Sequence, residues 1–392
     1  MVDILVPMPD IPFNRPALEG NELAYVKAAM ESGHTSASGE FSVKVAAALR
    51  AEMGAEEVLL TTSCTSALEL SALLLDLQPG DTVIVPSFTF TTTALAYARS
   101  GARLLFCDIE PRTLGMDPAH LETLLDDSVR AVVLVHYAGI ACDVDGIRKV
   151  LKHRPDVAVI EDNAHGLFGR WREQPLGSLG RFATQSFHDT KNFVSGEGGA
   201  LVINEARDVD RARVLYDKGT NRRAFMMGQV DKYSWKDTGS SFGLSDILAA
   251  QLWGQLERRE VIQRKRRAVF DRYAGMLADV ADGLGVTLPL VPADCESAYH
   301  MYHVLLPDRP IRDKVLVGMR EQGVQATFHY VPLHSSDAGR RFAARQIECP
   351  VTDDISGRLL RFPFYNNLTE AEAEQVVNAF TNAVAGAPAT RS

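Results

Sequence analysis

A chain of 392 residues with 46% hydrophobic and 23% charged side chains has the composition of a globular protein, which excludes a disordered, collagen-like or coiled-coil chain. Its 41 Lys and Arg against 50 Asp and Glu leave a net charge of −9, so no global charge draws it to nucleic acid or an anionic membrane. No apolar run nears the ~20 residues that span a bilayer, the first ten residues lack a basic start, and the five cysteines include no Cys-x-x-Cys pair; a cytoplasmic protein without a disulfide framework or a metal site is expected.

From about residue 56, short apolar β-branched runs alternate with amphipathic stretches. Strands are predicted at 58–61, 82–86, 102–108, 131–137, 157–161, 183–187 and 200–203, with helices at 65–75, 92–99, 118–125 and 145–153. Strands apolar on both faces and separated by helices imply a mainly parallel α/β sheet, whose ligands bind at the carboxyl ends of the strands. Residues 244–284 read as nearly continuous helix, and the charged block 258–267 as its solvated face. Strand-like pieces at 303–306 and 326–331 and helices at 311–322 and 370–384 then suggest a smaller α+β domain. The expected division is a large domain 1–259 and a small domain 260–392, with a frayed tail beyond 385.

Four strand ends carry chemistry. Ser186-Phe187-His188-Asp189-Thr190-Lys191-Asn192 runs into Ser195-Gly196-Glu197-Gly198-Gly199, which delivers one lysine into a glycine-rich turn. A lysine amine condenses with carbonyls, and burial or nearby positive charge lowers its pKa for the task. In isolation a loop lysine is ordinary solvated surface, so its weight comes from its companions. Asp162 ends the run Val159-Ile160-Glu161, where a carboxylate can pair with a pyridinium nitrogen or simply cap a helix. Thr62-Ser63-Cys64-Thr65-Ser66 joins a strand to a helix, and the free N–H groups of such a turn suit a phosphate. Phe90 follows another strand and offers a ring to a flat ligand or to the core. Gly239-Ser240-Ser241-Phe242-Gly243 matches the Gly-x-Ser-x-Gly elbow of hydrolases, but the polar residues before it are not a buried strand. No Rossmann, Walker or metal-ligand spacing is met.

Together these motifs resemble the DegT/DnrJ/StrS family, pyridoxal-phosphate-dependent sugar aminotransferases of fold type I, and the resemblance runs from Ile11-Pro12-Phe13-Asn14 to Asn366-Asn367-Leu368. It implies that Lys191 bonds to the aldehyde of pyridoxal 5'-phosphate, that Asp162 partners the pyridine nitrogen, and that His165 lies beside the ring hydroxyl. Phe90 would stack on the ring; the backbone at Cys64, Thr65 and Ser66, with the hydroxyl of Ser186, would hold the phosphate. Ser241 stands where most of the family carries an Asn that reaches the neighbouring subunit's phosphate. Finer strings are similar to the dTDP-4-oxo-6-deoxyglucose 4-aminotransferases, among them His136-Tyr137-Ala138-Gly139, Lys218-Gly219-Thr220-Asn221-Arg222 and Phe328-His329-Tyr330-Val331-Pro332. That likeness implies L-glutamate as donor, a dTDP-linked 4-keto-6-deoxysugar as acceptor, pyridoxamine 5'-phosphate as the amine-carrying form, and a homodimer. Arg222, Lys232, Tyr233 and His329 are the candidates for the sugar nucleotide. Three alternatives stay open: another nucleotide-linked keto sugar, a non-catalytic regulator on the same fold, and a sugar 3-dehydratase, against which the lysine at 191 counts.

Overall fold

The computed structural model describes residues 10–387, so the expectations for the first residues and for the end of the tail lie outside the described residues. The seven predicted strands form one sheet: β1 (Glu57–Thr61), β2 (Thr82–Pro86), β3 (Arg103–Cys107), β4 (Val129–Val135), β5 (Ala158–Asp162), β6 (Phe182–Ser186) and β7 (Gly199–Ile203). Their order is β1-β7-β6-β5-β4-β2-β3. The pairs among β2 to β6 are parallel, whereas β7 runs antiparallel to both β1 and β6.

The sheet forms because alternate side chains feed two apolar layers. Val83 and Val85 pack with Leu68 and Tyr97 on one face, and Ile84 packs with Leu121 and Ile147 on the other. Reversal of β7 has a consequence for function. Its first residue, Gly199, pairs with Thr61 and Ser186, the last residues of β1 and β6, so the glycine turn sits on the rim that also carries Asp162.

The helices Cys64–Leu75, Thr91–Arg99, Pro118–Leu124 and Val144–Leu151 occupy the predicted places. The C-terminal half differs in three details. Residues 244–284 break at Glu257 and Arg258 into the helices Asp246–Leu256 and Arg259–Ala278, with a short turn of helix, Asp282–Leu284, after them. The charged block is not wholly a solvated face, because Arg266 is buried at 2% exposure. Segment 326–331 is no strand; it makes one isolated bridge, Thr327 to Arg361, and Tyr330 turns its ring toward Phe88 at the sheet rim. A second core gathers Tyr273, Tyr302, Leu306, Phe362, Val376 and Phe380 around the antiparallel pair His303–Leu305 and Leu359–Arg361. Ile11 joins that core and exchanges backbone hydrogen bonds with Gly323 and Gln325 at 3.0 Å each.

Candidate active site

Lys191 lies in a loop pinned at both ends by backbone. Phe187 N–H donates to Gly198 O (2.9 Å), Ser195 N–H to Phe187 O (2.8 Å) and Lys191 N–H to His188 O (2.8 Å). From outside, Asn14 Nδ2 donates to Asp189 O at 2.8 Å; from below, Asn192 Nδ2 donates to Ala298 O at 2.6 Å. Asn192 Oδ1 faces His300 Nδ1 at 2.8 Å. Burial lowers the Lys191 ammonium to about 8; Cys64 and Asp162 oppose that shift and Arg361 adds to it. Lys191 and Asp162 thus lie near enough to act on each other electrostatically, so the structure brings these two sequence candidates to one region.

Asp162 ends β5 and is buried. Thr93 Oγ1 donates to its Oδ2 at 2.6 Å, and Ala164 N–H to its Oδ1 at 3.3 Å. Burial raises its pKa, while those two bonds and the charge of Lys191 pull it down. Glu161, one residue earlier, points to the other face. It accepts from His136 Nε2 at 2.9 Å and from the N–H groups of Gly177 (2.7 Å), Leu179 (2.6 Å) and Gly180 (2.8 Å). A carboxylate so fully occupied is structural, and Asp162 is the one left to meet a ligand.

The hydroxyl-rich turn opens the helix Cys64–Leu75. Ser63 caps it by accepting from Ser66 N–H at 3.1 Å, and Thr62 and Ser63 hydroxyls meet Ser66 Oγ at 2.9 and 3.0 Å. The N–H groups of Cys64 and Thr65 find no acceptor among the described residues and present the positive end of the helix. Gly199 explains why the lysine loop ends in glycine. A Cβ there would stand 2.4 Å from Cys64 N, so only glycine lets β7 run against this turn. Burial and the neighbouring Asp162 push the Cys64 thiol up to about 12, so it stays protonated.

His165 directly follows Ala164, whose amide donates to Asp162, and its ring stacks on His300 with centroids 4.2 Å apart. Its Nδ1 is buried without a hydrogen-bond partner among the described residues, and burial with Lys191 nearby holds the ring neutral. Ser186 is half-buried at the end of β6, and Phe90 caps the helix Thr91–Arg99 with 57% of its surface exposed on the rim. His329 reaches the same region: Tyr137 Oη lies 3.2 Å from its Nδ1, and it stacks on Tyr330 at 3.9 Å. The remaining candidates lie apart from Lys191 within this chain. Arg222, Lys232 and Tyr233 are exposed on an excursion between Asp217 and Ser241, which bridge each other at its base. Arg222 and Ser241 line a groove of about 1340 Å³ with His34, Ser42, Val43 and Glu57.

Sequence reasoning gave no role to Thr93, Asn192, His300 or Arg361. Thr93 sits in a run of three threonines at a helix start, where capping is the ordinary reading. The others acquire a role only through distant segments.

The donor set fits pyridoxal phosphate: an N–H cradle for a phosphate, a buried carboxylate for a ring nitrogen, an unpartnered imidazole nitrogen for a ring oxygen, and an amine of lowered pKa. A mainly parallel seven-stranded sheet offering that set at one rim defines a fold type I enzyme, and solved aminotransferases share the fold. The structure of the aminotransferase TlmJ from Streptoalloteichus hindustanus superposes with a TM-score of 0.87 at 30% identity, over 96% of this chain and 99% of that one. GDP-perosamine synthase of Caulobacter vibrioides is 31% identical over 374 residues (95% of this chain, 98% of that protein). Spore coat polysaccharide biosynthesis protein SpsC of Bacillus subtilis is 28% identical over 385 residues (96% and 98%). The DegT/DnrJ/EryC1/StrS aminotransferase family pattern matches residues 16–381, and the chain belongs to that family.

Proposed function

We propose that this enzyme binds pyridoxal 5'-phosphate and moves an amino group from L-glutamate to C4 of dTDP-4-oxo-6-deoxyglucose, giving 2-oxoglutarate and a dTDP-4-amino-4,6-dideoxyhexose. The observation that carries the reading is Lys191 at a pKa of about 8, held beside the buried carboxylate of Asp162 on the rim with the helix N-terminus. The names of the relatives, a GDP-perosamine synthase and a spore coat polysaccharide protein, support a sugar acceptor. The strings at 136–139, 218–222 and 328–332 support the 4-keto dTDP sugar.

Bound pyridoxal phosphate supplies an aldehyde for the donor's amine and a ring that takes up the electron pair left on the donor carbon. Lys191 takes the Cα proton of glutamate as a general base and returns a proton as an acid. A pKa near 8 suits both directions, because neither form is far from the working pH. Asp162 holds negative charge against the ring nitrogen, and Thr93 keeps that carboxylate in one rotamer. Cys64 and Thr65 N–H groups with Ser186 hold the phosphate, whereas the Ser66 amide expected to join them is taken by the Ser63 cap; His165 meets the ring oxygen, and Phe90 covers the ring. In the second half the proton path runs in reverse, and the sugar leaves carrying the amine.

Arg222, Lys232, Tyr233 and Ser241 serve a second copy of the chain in this reading. The excursion exposes Phe225, Met226, Met227, Val230, Tyr233 and Trp235, an apolar set suited to a homodimer with shared sites. The test is spectroscopic. L-Glutamate should bleach the absorbance of bound pyridoxal phosphate, and dTDP-4-oxo-6-deoxyglucose should restore it with release of an amino sugar identifiable by NMR. Unchanged absorbance across amino donors would overturn transamination, and restoration only by another nucleotide sugar would overturn the acceptor.

A further inference from the structure

A turn at residues 297–300 passes beneath the lysine loop, and one of its side chains serves two of the candidate residues. Tyr299 stands in the left-handed region at φ 51°, a conformation disfavoured for a residue with a bulky side chain. The turn is held from both sides. Buried Arg266 donates through Nε to Tyr299 O (2.9 Å) and through one Nη to His300 O (2.6 Å), while the N–H groups of Ala298 and His300 donate to Gly139 O (2.9 Å) and Ala138 O (3.3 Å). So fixed, it presents a carbonyl, Ala298 O, and an imidazole nitrogen, His300 Nδ1, to the single amide of Asn192, the residue next to Lys191.

The chemistry of that contact fixes its protons. A carbonyl only accepts, so the amide nitrogen of Asn192 faces Ala298 O and its Oδ1 is turned to the imidazole. His300 Nδ1 therefore carries the proton. Burial, and then the neighbouring His165, Lys191, Arg266 and Arg361, keep that ring uncharged, which leaves its Nε2 bare. The face of the same ring lies on His165, with centroids 4.2 Å apart and planes 17° from parallel. His165 Nδ1 meets no partner among the described residues, so packing orients this imidazole: His300 across its face and Tyr137 at an edge, 5.9 Å between centroids. Both His300 and Asn192 are buried, and a buried amide read by one donor and one acceptor has a single orientation.

We propose that His300 is a positioning residue for transamination: through Asn192 it fixes the backbone from which Lys191 reaches the donor carbon, and through its ring face it sets the angle at which His165 meets the cofactor's ring oxygen. This assignment rests on the proposed function and deepens it. Two substitutions separate the two contacts. His300→Phe keeps a flat ring against His165 and removes the Nδ1 donor; His300→Asn places an amide nitrogen near the lost Nδ1 and removes the ring. In the holoenzyme, His300→Phe should slow the glutamate half-reaction on the order of 10- to 100-fold, as misplacing a reacting group by about 1 Å does, with the KM for glutamate within about threefold of wild type. His300→Asn should keep more of that rate and instead weaken pyridoxal phosphate roughly fivefold to tenfold, the worth of one ordinary hydrogen bond, with a shifted absorbance maximum of the bound cofactor. Asn192→Leu combined with His300→Phe should be no slower than Asn192→Leu alone, because the shared bond is already gone. Cofactor-free wild-type protein gives a readout without turnover: nitrogen NMR of the imidazole rings should find His300 protonated at Nδ1 only. A ring protonated at Nε2, losses that multiply in the double variant, or a His300→Phe enzyme that loses stability and cofactor content while each bound cofactor reacts at the wild-type rate would overturn the assignment alone. A wild-type holoenzyme that reacts with no amino acid would overturn the proposed function as well.

Discussion

The rim of the central sheet and the excursion between Asp217 and Ser241 are built on opposite principles. At the rim the central candidates are fixed by bonds inside the chain: Asp162 by Thr93 and Ala164, the lysine loop by Asn14 and Asn192, the helix turn by its own Ser63 cap. The excursion turns back on itself through Lys218 and Gly219, both in the left-handed region (φ 61° and 70°), and points its side chains outward, with Trp235 81% exposed. Gly219 is required there, since a Cβ would lie 1.8 Å from Asp237 O. The difference teaches that the rim holds its polar groups by bonds within one chain, whereas the excursion leaves its side chains open to whatever it meets.

That contrast breaks first at Lys191. Lys191→Ala should lower turnover by ~10³-fold or more, since a positioned acid–base group is worth 10²–10⁴-fold, and should remove the absorbance of lysine-bound cofactor. Steady-state turnover near the wild-type rate would end the rim's claim to chemistry. The same lysine has a stability signature in the cofactor-free protein. Its folded pKa of about 8 lies below the ordinary 10.5, so between those values the unfolded chain holds a proton that the folded chain has released. The Lys191 contribution to stability therefore rises with pH across that window, and Lys191→Met should flatten the rise in chemical denaturation midpoints. Next in size is Asp162→Asn, which keeps the shape and removes the charge. Losing one preorganised charge should lower turnover on the order of 10²-fold with the fold intact by circular dichroism. A variant as active as wild type would mean that no ring nitrogen is paired there.

Most of the rim was legible because its signals are local. Runs such as Val83-Ile84-Val85 are apolar on both faces, so strands and their carboxyl ends could be placed from sequence, and with them Asp162, Ser186 and the turn at Cys64. What sequence could not show is pairing. The reversal of β7, which brings Gly199 against Cys64 N, depends on register between strands far apart in the chain. Thr93 and Arg361 were missed for the same reason, since a hydroxyl in a threonine run and a cation in an apolar strand carry no mark of the residues they will meet. Segment 326–331 misled because its β-branched and aromatic residues pair with a strand only at Thr327, while His329 and Tyr330 stack on each other.

The excursion's half of the comparison sharpens through association. If its aromatic residues join two copies, Trp235→Ser should weaken self-association by ~2 kcal/mol, roughly thirtyfold, as truncation of an aromatic anchor does. Sedimentation at graded concentrations would read the shift. Turnover should fall in parallel with the dimer fraction. An unchanged dissociation constant would show that Trp235 does not anchor a dimer.

The smallest expected effect tests how finely the rim is set. Thr93→Val keeps the volume and deletes the 2.6 Å hydrogen bond to Asp162, and with it the contact of Thr93 Oγ1 to Thr89 Oγ1 at 2.9 Å. Burial raises the Asp162 pKa and the Thr93 bond lowers it, so the variant's carboxylate should protonate at a higher pH. Activity requires the charged form; the acid limb of the rate profile should therefore move to higher pH, with a loss of a few fold at neutral pH and about 1.5 kcal/mol of stability. Thr93→Ser, which retains the hydroxyl, should restore the wild-type limb. A Val variant that loses stability without moving the limb would assign Thr93 to packing alone and leave Asp162 held by Ala164 N–H and the field of Lys191.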